Sequence, residues 1–423
     1  MEIPQVHCLQ DAAAETYFEN WSTSSTIKGR FEDGNSAKEQ LIVREFVDGA
    51  EAIARGAIAA GCNFFAGYPI TPATPILHHM IRELPKVGGV AIQAEDEIAS
   101  LGMCIGAAMA GARCLTATSG PGMSLYSENI GLAVMGEVPL VIVDAMRLGP
   151  ATGGATTVGQ GDVQFIRWGT SGGYPIIALS PTNPPECYAL TIRSFRLAER
   201  FRCPVFLLTD REVVATMSTV DILAYEKSVG SRELVSKLKM AGQDSFVPYR
   251  IAGPDDVPAF SPFGGIHLMR FTGSTHDERG LLTKDPEKVA RLNEHLAAKI
   301  EAHRQEIELV SLDLQSGAKT LVVGYGITAR SVIEAVRIAR RDGKMASSLI
   351  IHSIWPMPEN AITQALHKVQ RVVVAELNLG QYRQEIERLV NCETNLDRRP
   401  DVVGVNRVDG ELITPQQILD GLL

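Results

Sequence analysis

The chain has 423 residues and a formal net charge of −9, and 45% of its residues are hydrophobic. This length predicts two or three domains, and this composition is ordinary for a globular protein without a transmembrane helix. The acidic balance disfavours nucleic acid as the main partner, because contacts to phosphates need a basic surface.

The first 40 residues, with the polar run STSSTIKGRFEDGNSAKEQ, are predicted to form an N-terminal arm whose role the sequence does not define. They lack a basic segment followed by an apolar one, so no signal peptide is expected. The seven cysteines are scattered and form no CxxC pair, so neither an iron–sulfur cluster nor a structural metal ion is expected on this chain. Reduced, buried thiols in a cytoplasmic protein fit this pattern best.

Residues 41–216 are predicted to form a doubly wound α/β domain with a parallel sheet. Short apolar runs alternate there with helix-like stretches, and strands that are buried on both faces have such continuous apolar runs. The predicted strands lie in CNFFA, GVAIQ, CLTAT, PLVIVDA, PIIAL and PVFLLTD.

Residues 217–315 interrupt this alternation and are predicted to be a connector. Its last part, residues 285–313, is expected to be one long helix with Asp285 as N-cap and Pro286 at the first helical position. Residues 316–423 resume the alternation and are predicted to form a second, smaller α/β domain. Its strands are expected in KTLVVGYG, SSLIIHSIWP, QRVVVAELN and DVVGVNRVDG.

Polar, turn-forming or charged segments follow the first four strands of the first domain, and ligands of open parallel sheets bind at this edge. GYPITPATP, residues 67–75, follows the first strand. Its prolines restrict the residues before them, which is expected to fix the Thr71 hydroxyl beyond the sheet. Thr74 is expected to cap the next helix, with Pro75 in its first turn. A rigid turn without a ligand explains the same residues.

QAEDEIASLGMCIGAAMAG follows the second strand and predicts a helix with three acidic residues at its start. Acidic side chains are favoured at helix N-termini, which accounts for their number without any ligand. Apolar positions, Ile98 and Gly102 among them, recur at helical spacing. Steps of three and four residues place either Glu97 or Glu95 on the apolar face, and spacing does not choose between them.

TSGPG, residues 118–122, precedes a further predicted helix. This segment is either an anion-binding turn with free N–H groups or a plain turn. Arg147 ends the run PLVIVDAMR after the fourth strand. A buried arginine needs a carboxylate partner, which either the protein or a substrate supplies.

The segments GYPITPATP, EDEIASLGMCIGAAMAGAR, TATSGPGMSLYSENIGLA, THDERG and AELNLGQ, in this order, resemble the α subunits of the 2-oxoacid:ferredoxin oxidoreductases. The resemblance covers residues 41–423 and is closest to the 2-oxoglutarate type. It implies oxidative decarboxylation of a 2-oxoacid with thiamine diphosphate, with coenzyme A as acyl acceptor and ferredoxin as electron acceptor. It also implies the pyrimidine-binding domain of thiamine diphosphate enzymes, followed by a transketolase-C-terminal-like domain.

The resemblance further implies that part of the machinery lies on partner chains. The segment with Asp162 and Asn183 lacks the second glycine of the GDG…N motif for Mg²⁺ and diphosphate, and its spacing is short. Mg²⁺, the diphosphate site and a [4Fe–4S] cluster are therefore expected on a β subunit, with γ or δ subunits as further partners.

The resemblance assigns to Glu97, rather than Glu95, the carboxyl group that hydrogen-bonds the cofactor's pyrimidine ring. It implies that Thr71 and Arg147 bind the 2-oxoacid, so these three residues are the candidate catalytic residues. The further candidate cofactor-binding residues are Tyr68, Pro69, Ile70 and Asn129.

Two alternatives remain at this point. One is an enzyme of the same family that acts on pyruvate, a branched-chain or an aryl 2-oxoacid, because GPATGGATTVGQGD agrees with the family only in outline. The other is a non-catalytic subunit that has kept the fold. The joint presence of Thr71, Glu97 and Arg147 disfavours the second alternative.

Overall fold

A computed structural model of the chain describes residues 44–221, 246–392 and 399–422. The predicted N-terminal arm, residues 1–40, lies outside the described residues, as does part of the connector. The strands are β1 (Arg44–Asp48), β2 (Phe64–Gly67), β3 (Val90–Gln93), β4 (Cys114–Thr118), β5 (Leu140–Met146), β6 (Ile177–Leu179), β7 (Pro204–Asp210), β8 (Met217–Asp221), β9 (Val310–Asp313), β10 (Thr320–Gly324), β11 (Ala346–Ile351), β12 (Ser353–Trp355), β13 (Arg371–Glu376) and β14 (Asp401–Asn406).

The α-helices of the described ranges alternate with these strands. They are α1 (Gly49–Ala59), α2 (Thr74–Glu83), α3 (Glu97–Met109), α4 (Gly120–Met135), α5 (Val163–Trp168), α6 (Pro184–Phe201), α7 (Arg211–Ala215), α8 (Pro286–Glu301), α9 (Arg304–Ile307), α10 (Thr328–Arg341), α11 (Glu359–Ala365), α12 (Gln381–Cys392) and α13 (Pro415–Gly421). A short 3₁₀ helix, Leu84–Val87, follows α2.

The larger sheet of the described chain has the strand order β12-β6-β7-β5-β4-β2-β3. Its strands are parallel except β12, which runs antiparallel to β6. Strands β4, β5 and β7 are buried along their whole length, because α1, α2 and α6 cover one face and α3 and α4 the other. Burial on both faces explains why these strands are continuous apolar runs, and the predicted doubly wound α/β class is confirmed.

The second sheet has the order β14-β13-β10-β11-β9, with β9 antiparallel at one edge. Helices α10 and α13 pack on one face of it, and α11 and α12 pack on the other. A separate two-stranded ribbon joins β1 to β8 and closes the first domain at its chain ends. The sequence did not predict β1, β8 or their pairing.

Strand β12 corrects the prediction of one strand in SSLIIHSIWP. The chain leaves the second sheet after Ile351, and Ser353–Trp355 adds a strand to the first sheet instead. His352 at the switch is buried, and its carbonyl accepts a hydrogen bond of 2.6 Å from Ser180 N–H. Because both halves of the run are buried, its apolar pattern carries no sign of the change of sheet.

The single long helix expected over residues 285–313 is also wrong. Asp285 caps its start as predicted and accepts bonds from the Glu287 and Lys288 N–H groups, and Pro286 is the first helical residue. The helix ends at Glu301, and the chain then forms the short α9 and the edge strand β9. VSLD pairs with β11, so tertiary pairing decides its conformation over its helical surroundings.

Candidate active site

Polar residues of the first domain converge at the carboxyl ends of β3, β2, β4 and β5, which are neighbours in this order. The turn after β2 carries Tyr68 and Thr71, and α3 begins with Glu97 after β3. Thr118 and Ser119 lie at the end of β4, and Arg147 follows β5 directly. The edge predicted from the strand order is therefore assembled from four separate segments.

The turn after β2 places Thr71 at the surface of this edge. Tyr68 is 37% exposed, Pro69 and Ile70 are half-buried, and Thr71 is exposed. The expected cap at Thr74 is wrong: its N–H already bonds the Ile70 carbonyl at 2.9 Å, so Thr74 is the first helical residue. Ala73 occupies the cap position without a side-chain bond.

Arg147 reaches across to this turn from the end of β5. Its Nη1 group donates a hydrogen bond to the Thr71 carbonyl oxygen, and only 6% of the residue is exposed. Its Nε atom is buried without a partner among the described residues. Burial lowers the pKa of Arg147, and the nearby Asp162 carboxylate opposes that shift. One guanidinium edge is therefore committed to the turn, and another is free for an acceptor.

The start of α3 separates the roles of its three acidic residues. Asp96 is the N-cap, and its carboxylate accepts a bond of 2.7 Å from Ala99 N–H. Glu95 is exposed, whereas Glu97 is only 6% exposed and begins the helix. The buried face continues from Glu97 through Leu101, Cys104 and Ala108 at steps of three and four.

Ile98 and Gly102, the apolar positions that align with Glu95 in the sequence, do not belong to that face. Ile98 is 52% exposed and Gly102 is exposed. Asn129 of α4 lies on this outer side, where its Nδ2 group donates a bond of 3.0 Å to the Ile98 carbonyl. This contact ties α4 to α3 and leaves Asn129 in a supporting position.

The TSGPG segment accommodates two carboxylates, one on each side of its turn. A Cβ atom at Gly122 would lie 2.9 Å from Glu97 Oε1, and a Cβ at Gly120 would lie 3.0 Å from Asp162 Oδ2. A side chain at Gly122 would also meet Thr118 Oγ1, so glycine lets these side chains approach the start of α4. The start of α4 is thus flanked by the protein's own acids, which disfavours a further anion there.

Two buried hydroxyls at the end of β4 have no hydrogen-bond partner among the described residues. Thr118 Oγ1 and Ser119 Oγ are both in this state. Below them, the Tyr126 hydroxyl is held by Ser100 at 3.0 Å and Thr116 at 2.8 Å. The two hydroxyls at the end of β4 therefore lack a hydrogen-bond partner, while the deeper Tyr126 hydroxyl has two.

Asp144 and Asp162 are site residues that the sequence analysis did not identify as such. Asp144 lies inside β5, is completely buried, and neither of its carboxylate oxygens has a partner in the described ranges. Asp162 is half-buried, but its Oδ2 atom is shielded and unbonded. Burial raises the pKa of Asp144 well above its ordinary range, and the Asp162 carboxylate raises it further. Burial also raises the pKa of Asp162 to about 6, although the nearby Arg147 lowers it. The signal was an aspartate within an apolar strand.

The second domain holds the loop between Arg147 and Asp162 in place. Gln160 donates its backbone N–H to the Leu377 carbonyl at 2.9 Å, and its side-chain oxygen accepts the Leu377 N–H at 3.1 Å. Asn378 Nδ2 donates to the Gln160 carbonyl at 2.7 Å. Leu377 and Asn378 belong to the segment AELNLGQ, so this motif acts as a brace for the loop.

Asp210, at the end of β7, completes the seam between the domains. Its carboxylate accepts bonds from Ile327 N–H at 2.8 Å, Val213 N–H at 3.0 Å and Gln160 Nε2 at 3.2 Å. Burial raises its pKa to about 6 although these donors lower it. Every polar atom named here is bonded, in contrast to the free atoms near Glu97.

Within the described ranges, none of the helices has the length and apolar content needed to cross a bilayer. In the same residues, no cluster of three or more His, Cys, Asp or Glu side chains has the arrangement of a metal site.

Comparison with known protein families assigns most of the chain. Residues 55–294 match the model described as pyruvate flavodoxin/ferredoxin oxidoreductase, thiamine diphosphate-binding, and residues 318–418 match core domain II of pyruvate:ferredoxin oxidoreductase. The chain belongs to this family. Its first domain is accordingly of the thiamine diphosphate-binding type, and the predicted family and fold class are confirmed.

Relatives refine this assignment. The chain is 41% identical to the 2-oxoglutarate synthase subunit KorA of Methanothermobacter thermautotrophicus over 89% of this chain and 98% of the relative. It is 33% identical to the ketoisovalerate oxidoreductase subunit VorB of the same organism over 89% and 96% of the two chains.

A solved structure has the same fold. It is the 2-oxoglutarate:ferredoxin oxidoreductase of Magnetococcus marinus with 2-oxoglutarate, coenzyme A and succinyl-CoA bound, at 27% identity and a TM-score of 0.81. The match covers 97% of this chain and 69% of the other. The family is one of oxidoreductases, so the chain is part of an enzyme.

Proposed function

We propose that the chain is the α subunit of a 2-oxoglutarate:ferredoxin oxidoreductase, which converts 2-oxoglutarate and coenzyme A to succinyl-CoA and CO₂ and passes electrons to ferredoxin. The carrying observation is the Arg147–Thr71 contact beside the buried Glu97 at one strand edge of a chain of this family. The substrate rests on the names of the 41% identical relative and of the structural neighbour.

The same edge fits the pyrimidine half of thiamine diphosphate. Glu97 offers a buried carboxyl group, and the hydroxyls of Thr118 and Ser119 are unpartnered among the described residues. We assign cofactor binding to Glu97 and to the turn residues Tyr68, Pro69 and Ile70, with Asn129 in support through α3. When bound, thiamine diphosphate supplies the thiazolium carbon that attacks the 2-oxo group.

Glu97 would hold a proton against a ring nitrogen of the pyrimidine. Its position at the first residue of α3 keeps the carboxyl group close to the start of α4, where Gly122 leaves space for it. A carboxyl group in hydrogen-bond reach of a ring nitrogen can act there as a general acid–base group.

Arg147 would bind the carboxylate next to the 2-oxo group. One of its N–H groups bonds the Thr71 carbonyl, and this bond fixes the guanidinium plane while Nε stays available. Thr71 is exposed in the same turn, and its hydroxyl would hydrogen-bond the keto oxygen or the carboxylate. A planar donor set of this kind suits carboxylate recognition.

The remaining machinery would reside on partner chains. We expect Mg²⁺, the diphosphate site and a [4Fe–4S] cluster on a β subunit, with γ or δ subunits as further partners, because this sequence has no GDG…N motif or cysteine cluster. Residues 41–216 would act as the pyrimidine-side domain and 316–423 as the transketolase-C-terminal-like domain. A cytoplasmic location agrees with the free thiols, five of which are buried.

Turnover assays on the copurified complex test this proposal. Ferredoxin or dye reduction is measured with 2-oxoglutarate, pyruvate and 2-oxoisovalerate, each with coenzyme A. We expect the highest kcat/KM with 2-oxoglutarate. A preference for 2-oxoisovalerate would favour the branched-chain alternative, to which the 33% identical relative points. No turnover with any 2-oxoacid, in a complex that contains iron and thiamine, would favour the non-catalytic alternative.

A further inference from the structure

A cavity lies at the amino ends of the strands of the first sheet, whereas the candidate active site lies at their carboxyl ends. Its volume is about 430 Å³, which lies within the range of small-molecule sites. Glu137 lines it and precedes β5, so the cavity is at the amino ends of the strands. Most of its other walls come from α8 and from THDERG, residues 275–280, a motif to which the proposed function gives no role.

One face of α8 carries basic side chains from the mouth of this cavity to its floor. Lys288, Arg291, His295 and Lys299 follow one another at steps of three and four residues, so they lie on one stripe of the helix. Lys288 and Arg291 are exposed, whereas His295 and Lys299 are buried.

The floor of the cavity is built around the Glu137 carboxylate. Its Oε2 atom accepts bonds from Lys299 Nζ at 2.7 Å and from His295 Nε2 at 3.1 Å. Burial alone would raise the pKa of Glu137, but Lys299 and His295 lower it below its usual range. Glu137 is therefore ionised, and its second oxygen, Oε1, is a buried acceptor with no donor in the described chain.

His276 presents a second acceptor of the same kind. The residue is 2% exposed, and its Nδ1 atom faces the Ser274 carbonyl at 3.2 Å, so Nδ1 carries the proton. Burial lowers the pKa of His276, which keeps the ring neutral. Its Nε2 atom is buried and unbonded within the described residues. Two buried acceptors without donors indicate a missing ligand group that carries hydrogen-bond donors.

The mouth carries three basic side chains. Among the described residues, Arg279, Lys288 and Arg291 form no ion pair with a carboxylate, and Arg291 Nη2 donates a hydrogen bond of 3.3 Å to the Ile251 carbonyl. The acidic residues of the motif also line the cavity. The Asp277 carboxylate accepts the backbone N–H groups of Arg279 and Leu281 at 3.0 and 3.1 Å. Glu278 lies 3.9 Å from Arg250.

We propose that this cavity binds a small phosphorylated molecule. Lys288, Arg291 and Arg279 hold its phosphate at the mouth, because three cations without a carboxylate partner among the described residues suit a multiply charged oxyanion. A hydroxyl or amino group of the same molecule donates hydrogen bonds to His276 Nε2 and Glu137 Oε1 at the floor. The site is independent of the 2-oxoacid chemistry, since it lies at the other end of the strands.

Binding of AMP, ribose 5-phosphate, inorganic phosphate and ribose to the purified complex tests the proposal by isothermal titration calorimetry. We expect AMP or ribose 5-phosphate to bind at least about tenfold more tightly than inorganic phosphate or ribose, because only these two combine both contacts. The exposed double variant Lys288→Ala/Arg291→Ala should weaken that binding by about tenfold or more. Lys344→Ala, an exposed lysine on the second domain, is the matched control and should leave it unchanged.

The floor contact is tested separately by His276→Asn. This variant should weaken the sugar phosphate and leave inorganic phosphate unaffected, a difference that a general loss of folding does not produce. Absence of binding by both AMP and ribose 5-phosphate to the wild-type complex would overturn the proposal. Unchanged affinity in the Lys288→Ala/Arg291→Ala variant would overturn it too, and that variant does not depend on a buried side chain.

Discussion

Two polar regions of the first domain differ sharply in how their buried atoms are bonded. At the strand edge near Glu97, the hydroxyls of Thr118 and Ser119 and both oxygens of Asp144 have no partner in the described chain. At the seam with the second domain, every donor and acceptor of the Gln160 side chain and backbone is bonded. Buried polar atoms are normally satisfied, so the first region is prepared for a ligand and the second is a brace.

Glu97→Gln should have the largest effect on activity, because it removes the ionisable carboxyl group near the unpartnered hydroxyls while nearly keeping the shape of the side chain. The side chains are nearly isosteric, so the fold and assembly should persist. Loss of the acid–base partner should lower kcat by roughly 10²-fold or more. Exchange of the thiazolium proton with deuterated water, followed by NMR on the complex, should slow in parallel.

Glu95→Gln is the matched control for this prediction. Glu95 is exposed and lies two residues before Glu97, so its loss should change the free energy of unfolding by under about 1 kcal/mol. Proton exchange should stay unchanged. Slow exchange in the Glu95 variant together with normal exchange in the Glu97 variant would show that Glu95, and not Glu97, is the carboxyl group that acts on the cofactor.

Arg147→Met should act mainly on the 2-oxoacid. The methionine keeps much of the buried volume but removes the free guanidinium edge. Loss of a charge-assisted bond costs about 1.5–3 kcal/mol, so KM for the 2-oxoacid should rise roughly ten- to a hundredfold. KM for coenzyme A should change far less. Equal increases in both constants would show a general distortion of the site rather than loss of a carboxylate contact.

Asn378→Ala tests the brace. Its Oδ1 atom accepts bonds from Gly380 and Gln381 N–H at 2.8 and 2.9 Å, and its Nδ2 group bonds the Gln160 carbonyl. Truncation leaves these groups unpaired and should cost about 2 kcal/mol of unfolding free energy. Thermal denaturation of the complex measures this loss.

The activity of the Asn378 variant should also change, although the residue lies on the second domain. Release of Gln160 loosens the loop that leads to Asp162, so KM for the 2-oxoacid should rise a few-fold. Asn391→Ala, an exposed position on α12, is the control and should leave both stability and KM unchanged. An effect on stability alone would limit the brace to a structural role.

The sequence predicted the elements that build the site better than the contacts that hold it. Apolar runs located β2 to β7, most clearly β4, β5 and β7, which are buried along their whole length. The same uniform burial concealed the change of sheet at His352, which depends on long-range pairing with β6. Helical periodicity likewise did not reveal that VSLD pairs as β9, because an edge strand has no pattern of its own.

The acidic residues show the same limit on a smaller scale. Spacing did not separate Glu97 from Glu95, since each is followed by apolar residues at steps of three and four. The N-cap at Asp96 separates them, because it makes Glu97 the first residue of α3 and leaves Glu95 outside the helix. Asp144 was hidden in an apolar run. Asp162 follows a loop whose approach to Gly120 depends on the second domain, so no local pattern indicated its place.

Asp162→Asn should give the smallest effect, and it has a distinctive pH dependence. Burial raises the pKa of Asp162 from its ordinary 3.8 to about 6, so the folded chain binds this proton more tightly than the unfolded chain. Its contribution to stability is therefore greatest below about pH 4 and is lost as the pH rises through about 6.

At pH 7 the wild-type residue is a partly buried anion beside Asp144. The amide removes that cost, so the variant should be more stable at pH 7 by about 1 kcal/mol. This advantage should shrink as the pH falls from 7 to 4, measured by denaturation of the complex at several pH values. A constant difference in unfolding free energy between the two proteins from pH 7 to pH 4 would show that Asp162 does not titrate in that range. The Asp162 carboxylate near Arg147 would then keep its charge throughout.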